Sequence, residues 1–331
     1  MQNHTQLANL AIQHLQSQIA EMGFTPIVQF ELEGCCLPAK PRELDTSHFL
    51  DFTAINQALS SLGVQGVCKA EYWEYQWEWA SKMAGQSPLK TAQDLAIVKQ
   101  NLPDILLQNG AKEVHIHPVF WQQKQANRPL LPAHQNDVFP GKPVHIPNAI
   151  QLSISALNVD GSNALLDNQL GAVLQNILLV RSYECCWLFA PIEAAYQRFQ
   201  LKSNYDLDKE LTSPSDISGG HQGSIGFFQR RDKHDQLVGG NWRKQARIEH
   251  RLGAACAAYH PQVNCAFALA CLLEAIQMCK AGAPVLEPYR AELPVSLKAA
   301  KTEFAKSHWF QRALGKELKT AVLQNVDAKA D

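Results

Sequence analysis

The stretch Ile27-Val-Gln-Phe-Glu31-Leu-Glu33 constrains the fold of this 331-residue chain more than any other. Side chains alternate across a strand, so Val28, Phe30 and Leu32 take one face while Ile27, Gln29, Glu31 and Glu33 take the other. Carboxylates two apart on a strand lie roughly 6–7 Å from each other and, at an effective dielectric of about 20, repel by roughly 2–3 kcal/mol. If that face is solvated, nothing more is needed. If it is buried, a cation must sit there.

A second charged stretch, Lys244-Gln-Ala-Arg247-Ile-Glu249-His-Arg251, puts Arg247, Glu249 and Arg251 on one face when extended. A carboxylate between two guanidiniums forms an ion-pair ladder, or it is a metal ligand flanked by planar groups that grip phosphate or carboxylate. Both readings stand on these residues alone. Between the two stretches, Glu71, Trp73, Tyr75 and Trp77 alternate with Tyr72, Glu74, Gln76 and Glu78. The period suggests a strand, yet Glu71, Glu74 and Glu78 would also line one helical face.

Around these stretches the chain reads as mixed helix and strand. Apolar residues at helical spacing predict helices over Leu7–Met22 (stopped by Gly23), Phe52–Leu62, Thr91–Gln108 (broken near Pro103), Gln169–Cys186, Val263–Gly282 and Val295–Val326. Strands are predicted over Glu113–Phe120, with His115 and His117 on one face, and over Val144–Ser155. The polar, Pro- and Gly-containing segment 121–143 reads as an inserted loop, and 200–220 as a flap. Nothing forces a domain boundary, so a single domain over 1–331 is expected.

Composition narrows the function classes. With 30 Lys+Arg against 31 Asp+Glu there is no general basic field to draw nucleic acid. Nine cysteines with two adjacent pairs, Cys35-Cys36 and Cys185-Cys186, do not have disulfide-framework or zinc spacing, and reduced thiols are expected. The first residues lack a basic segment followed by an apolar one, and the apolar run Cys265–Met278 is short and interrupted by Glu274. A soluble, cytoplasmic protein without membrane partners is the expectation.

Taken in order, Glu31-Leu-Glu33 after a helix and Gly-Phe-Thr-Pro, then Ala70-Glu71-Tyr-Trp-Glu-Tyr-Gln76-Trp77-Glu78, resembles the catalytic domain of glutamine synthetases. So do Gly141-Lys-Pro-Val-His145, Ala190-Pro191-Ile-Glu-Ala-Ala-Tyr196-Gln197-Arg198 and the Lys244–Arg251 stretch. The resemblance spans about residues 7–282. It implies an α+β fold, with a curved antiparallel sheet of five or six main strands flanked by helices. It also implies two or more divalent ions, Mg²⁺ or Mn²⁺: Glu33, Glu71 and Glu78 resemble the ligands of one, and Glu31, His145 and Glu249 those of the other.

The activity implied is ATP-dependent ligation of a carboxylic acid, glutamate-like, to an amine through an acyl phosphate. Lys244 and Arg247 resemble nucleotide-phosphate contacts, Gly141 precedes the metal histidine, and Arg198, Arg251 and Glu249 resemble residues of the reacting centre. The chain also departs from the pattern. The family's N-terminal β-grasp domain is not represented, so an amine other than ammonia, and an oligomer smaller than the family's rings or a partner subunit, are expected. Two phosphate-binding arginines correspond to His221 and Gly226, with Arg230 and Arg231 close enough to substitute. A catalytically silent metal- or nucleotide-binding relative is the alternative reading.

Overall fold

The computed structural model describes residues 4–39, 49–71, 75–82, 85–120, 146–204, 224–229, 245–282 and 293–327. Its centre is β1 (Phe24–Pro38), fifteen residues long and therefore able to hold more than one neighbour on an edge. On one edge it pairs with β3 (Gln76–Ser81), which pairs in turn with β2 (Gly66–Ala70). On the other edge it pairs first with β7 (Ala149–Asn158) and then, past Leu32, with β4 (Ala111–His115). Beyond β7 lie β9 (Arg247–Ala254) and β8 (Ile225–Phe228), giving a seven-stranded sheet of order β2-β3-β1-β7-β9-β8 in which the pairings are antiparallel. Two short strands, β5 (Val119–Phe120) and β6 (Ile146–Pro147), pair separately.

Period two sorts the sheet into unlike faces. Val28, Phe30 and Leu32 of β1, Trp77 and Trp79 of β3, Ile150, Leu152 and Ile154 of β7, and Ile248 and Leu252 of β9 are all buried. Four helices cover that face: α1 (His4–Glu21), α3 (Pro88–Gln108), α4 (Leu170–Glu184) and α7 (Pro261–Lys280). α7 is long and apolar enough to cross a membrane by composition, but 78% of that stretch is buried within the fold, packed on α1, α3 and α4. It is the central core helix. Gly34 on β1 leaves room for the Trp77 indole, which a Cβ there would strike. All nine cysteines are unpaired.

Several expectations are corrected by the packing. The alternating stretch Glu71–Glu78 is not one strand: β3 begins at Gln76 and pairs back on β2, and the Glu71 N–H bonds to the Gln76 carbonyl between them. Pro103 does not break its helix; α3 runs through it, because Leu102, Ile105 and Leu106 around it are buried and their packing outweighs one lost hydrogen bond. The Glu113–Phe120 strand splits into β4 and β5. The single C-terminal helix is three: α8 (Leu297–Lys306), α9 (His308–Leu314) and α10 (Lys316–Asp327). Ser307 caps α9, and Gly315, at φ 91°, turns the chain as only glycine does readily. The loop 121–143 lies outside the described residues. So does the flap 200–220, except that 200–204 ends α6 (Glu193–Asn204).

Candidate active site

The second face of the sheet carries polar residues strand after strand. Cross-strand pairing sets Lys69 of β2 against Glu78 of β3, and Glu78 against Glu33 of β1. Glu31 stands directly opposite Gln151 of β7, Ser153 of β7 opposite Glu249 of β9, and Glu249 opposite Gly226 of β8. Residues directly opposite in an antiparallel pair share a face with Cβ atoms about 4.5–5.5 Å apart. The row therefore brings Glu31, Glu33, Glu78 and Glu249, drawn from three strands, onto one side of the sheet.

Each carboxylate has a distinct environment. Glu33 sits where β7 gives way to β4 on the β1 edge, and it accepts the Ala149 N–H at 2.8 Å and the Gln151 amide Nε2 at 2.8 Å. Burial still raises its carboxyl to about 7 against those two bonds. Glu31 is raised further, to about 8, by burial and then by the charges of Glu78 and Glu249, with Arg247 opposing. Glu78 is raised by burial and by Glu71, and Lys69, 3.1 Å away, pulls the other way.

At the far end, Arg247 and Arg251 both donate to Glu249, one to each oxygen. The ion-pair ladder is thus formed, and it is nearly dry: Glu249 is 4% exposed and Arg251 6%. Arg247 also lies 4.2 Å over the Phe228 ring. A buried triad of this kind contributes little net stability, because desolvation offsets the attraction.

Arg198 brings a positive charge near Glu33 and pulls that carboxyl down against its burial. It is fully buried and donates to the carbonyls of Asn148 (2.8 Å), Gly253 (3.1 Å) and Arg251 (2.9 Å). These three bonds clamp the ends of β7 and β9 together. Asn148, which the sequence reading passed over, is a hub on the same side: it accepts from Gln76 Nε2 at 3.1 Å and donates to the His117 carbonyl at 3.0 Å. Gln151 was passed over too. Its only sequence signal is a polar residue in register within an apolar strand.

Gly141, His145, Arg230, Arg231 and Lys244 lie outside the described residues. Among the described residues, no three His, Cys, Asp or Glu side chains converge closely enough to hold a metal as they stand. Glu33, Glu78 and Glu249 are each turned to another partner. The donor set nonetheless fits a hard divalent cation. Glu31 and Glu33 are disfavoured as anions by burial and by neighbouring carboxylates, and Gln29, on the same face of β1, keeps a buried Oε1 with no hydrogen-bond partner. Gly226, opposite Glu249, adds no side chain.

Among solved structures, this chain is similar to a novel glutamine synthase homolog, with a TM-score of 0.68 and 18% identity over 96% of this chain and 69% of that one. It is also similar to GmaS in complex with ADP (TM-score 0.65, 15% identity, 97% of this chain and 73% of that one). GmaS without ligand gives a TM-score of 0.64 at 15% identity, over 97% and 72% of the two chains. No protein-family model matches the sequence, and no curated protein matches it. The likeness establishes the fold, an α+β glutamine synthetase-like catalytic-domain architecture, as the sequence motifs implied.

Proposed function

We propose that this chain is an ATP- and Mg²⁺- or Mn²⁺-dependent carboxylate–amine ligase of γ-glutamyl type, taking an amine other than ammonia. The observation that carries the reading is the row of buried and half-buried carboxylates that shares one face of the sheet with an arginine-flanked Glu249. That one similar structure is a complex of GmaS with ADP supports a nucleotide as the phosphate source.

In this reading Glu31, Glu33, Glu71, Glu78 and Glu249 hold the divalent ions, with His145 joining them from outside the described residues. When bound, such ions neutralise phosphate charge and polarise the transferred group. Arg247 and Arg251 stand either side of Glu249, so an anion at that end of the face meets two planar donors. Lys244, Arg230, Arg231 and the Gly141 backbone are assigned to the nucleotide phosphates. A substrate carboxylate oxygen attacks the γ-phosphorus and ADP leaves. The amine nitrogen then attacks the acyl carbon, phosphate leaves with the bonding electrons, and the amine proton passes to a base. Arg198 keeps a supporting place, since its clamp on the carbonyls of Asn148, Gly253 and Arg251 fixes the strand ends that carry Glu249 and Arg251.

A second reading, a catalytically silent relative that binds metal–nucleotide, is favoured by Gly226, which stands opposite Glu249 and offers no cation to a transferring phosphate. Calorimetric titration of a non-hydrolysable ATP analogue with Mn²⁺ tests both. Metal-dependent binding is expected, weakened by about tenfold or more in Glu249→Gln. No binding to folded wild-type protein overturns the ligase reading. Binding of ATP without phosphate release across acid–amine pairs supports the silent one.

A further inference from the structure

We propose that Gln151 sets which cation the acidic face accepts, holding Glu33 with its amide nitrogen and offering its carbonyl oxygen to a hard divalent ion beside Glu31. The inference deepens the functional reading above and rests on its metal site. Three observations carry it.

The first is position. β1 and β7 pair with Glu31 directly opposite Gln151, so the residue beside Glu31 across the ladder is an amide, on the strand that next presents Ser153 opposite Glu249. Gln151 therefore sits between the two carboxylate groups of the row. The second is the orientation of its amide. Gln151 Nε2 donates to Glu33 Oε1 at 2.8 Å, while the Ala149 N–H takes the other carboxylate oxygen at 2.8 Å. Turning the amide over would set its carbonyl oxygen against a carboxylate oxygen, so this contact fixes which end is nitrogen and leaves the oxygen for a different partner.

The third observation is independent of Gln151. Gln29, on the same face of β1 as Glu31, repeats the pattern: its Nε2 donates to the Ser81 carbonyl at 3.2 Å, and its Oε1 is buried with no partner. The residue is 7% exposed, so water does not readily supply what the protein omits. Two amides on the face of Glu31 have thus spent their donors on protein acceptors, and no protein donor meets the orphaned Gln29 oxygen. Neutral carbonyl oxygens combined with carboxylates are the donor set of Mg²⁺, Mn²⁺ and Ca²⁺, whereas Zn²⁺ and Co²⁺ gain more from imidazole and thiolate. The nearby thiol of Cys35 does not alter this, because its Sγ is engaged by the Asn148 amide at 3.6 Å. Gln151 is in these terms a positioning residue for Glu33 and a selectivity residue for the ion.

The test uses the full chain without nucleotide, titrated with Mn²⁺ and, separately, with Co²⁺ or Zn²⁺. In Gln151→Leu, Mn²⁺ affinity falls by about tenfold or more, the range expected when a ligand-orienting group is removed. Gln151→His keeps an N–H for Glu33 but exchanges oxygen for nitrogen. It retains Mn²⁺ binding, gains about tenfold for Co²⁺, and shifts the visible absorption of bound Co²⁺. Should Gln151→Leu fail to fold, the histidine variant decides alone. Mn²⁺ affinity within twofold of wild type in both variants, or an unchanged Mn²⁺-to-Co²⁺ preference in Gln151→His, overturns the assignment to Gln151 and leaves the metal site standing. Folded wild-type protein that binds neither Mn²⁺ nor Mg²⁺ overturns the functional reading, and this inference with it.

Discussion

The two faces of β1 lie on the same residues' backbone and respond to burial in opposite ways. Val28, Phe30 and Leu32 are 2%, 0% and 0% exposed, and withdrawing them from water is what holds the helices on the sheet. Gln29, Glu31 and Glu33 alternate with them, the first buried and the two carboxylates half-buried, yet burial there disfavours the charged form of each carboxyl, to about 8 for Glu31 and about 7 for Glu33. One face gains free energy by being covered; the other loses it and needs a counter-charge. Depth alone does not make a core. The largest expected effect tests the apolar side. Phe30→Ala leaves a cavity under α1 and α3 and lowers unfolding free energy by about 3–5 kcal/mol in urea titration. A loss below about 1 kcal/mol would show the helices held by something other than this face.

The opposite substitution on the opposite face should raise stability. Glu31 has a folded-state value near 8 against an ordinary value of 4.5, so the native state keeps a proton that the unfolded chain releases. Its contribution is fully present below pH 4.5 and is lost as pH rises through 8. Glu31→Gln removes that loss, and metal-free protein at pH 8 should gain about 1–3 kcal/mol, with the gain vanishing near pH 4.5. Divalent cations reverse the comparison, since Mn²⁺ would then stabilise wild type more than the variant. A Glu31→Gln protein less stable than wild type at pH 8 without metal would place that carboxylate in a favourable environment and break the contrast.

The apolar face was the legible one. Period two in Ile27–Glu33 and period 3.6 in Leu7–Met22 and Val263–Gly282 are properties of neighbouring residues, and each element formed within a few residues of its predicted bounds. Glu31 and Glu33 were singled out because two like charges on a strand need a reason. What lay beyond reach depends on distant partners. The pairing of Glu33 with Glu78, or of Glu31 with Gln151, is a register between segments far apart in sequence, and no local pattern encodes it. The amides Gln76, Asn148 and Gln151 carry no charge to flag them. Arg198 shows the same limit: an arginine in a motif suggests an anion, and only the fold reveals that it also binds three backbone carbonyls. Pro103 was read as a break because its cost is local while the packing that overrides it is not.

The smallest effect sharpens the boundary between the faces. Lys69, at the end of the row on the edge strand β2, is 57% exposed at its side chain and lies 3.1 Å from Glu78, whose own side chain is 9% exposed. An ion pair with one partner in water holds little net free energy, so Lys69→Met should change unfolding free energy by under about 0.5 kcal/mol. Its effect on cation binding differs in kind, because the ammonium competes for the carboxylate that a divalent ion would use and repels that ion besides. Mn²⁺ should bind Lys69→Met about two- to fivefold more tightly at low ionic strength, with the gain shrinking in high salt as screening shortens the reach of the removed charge. A loss of stability beyond about 1 kcal/mol would mean that the pair is structural and that the polar face ends before Glu78. Unchanged Mn²⁺ affinity would place the ion toward Glu31 and Glu249, away from the edge strand, and would shorten the row to the three central strands.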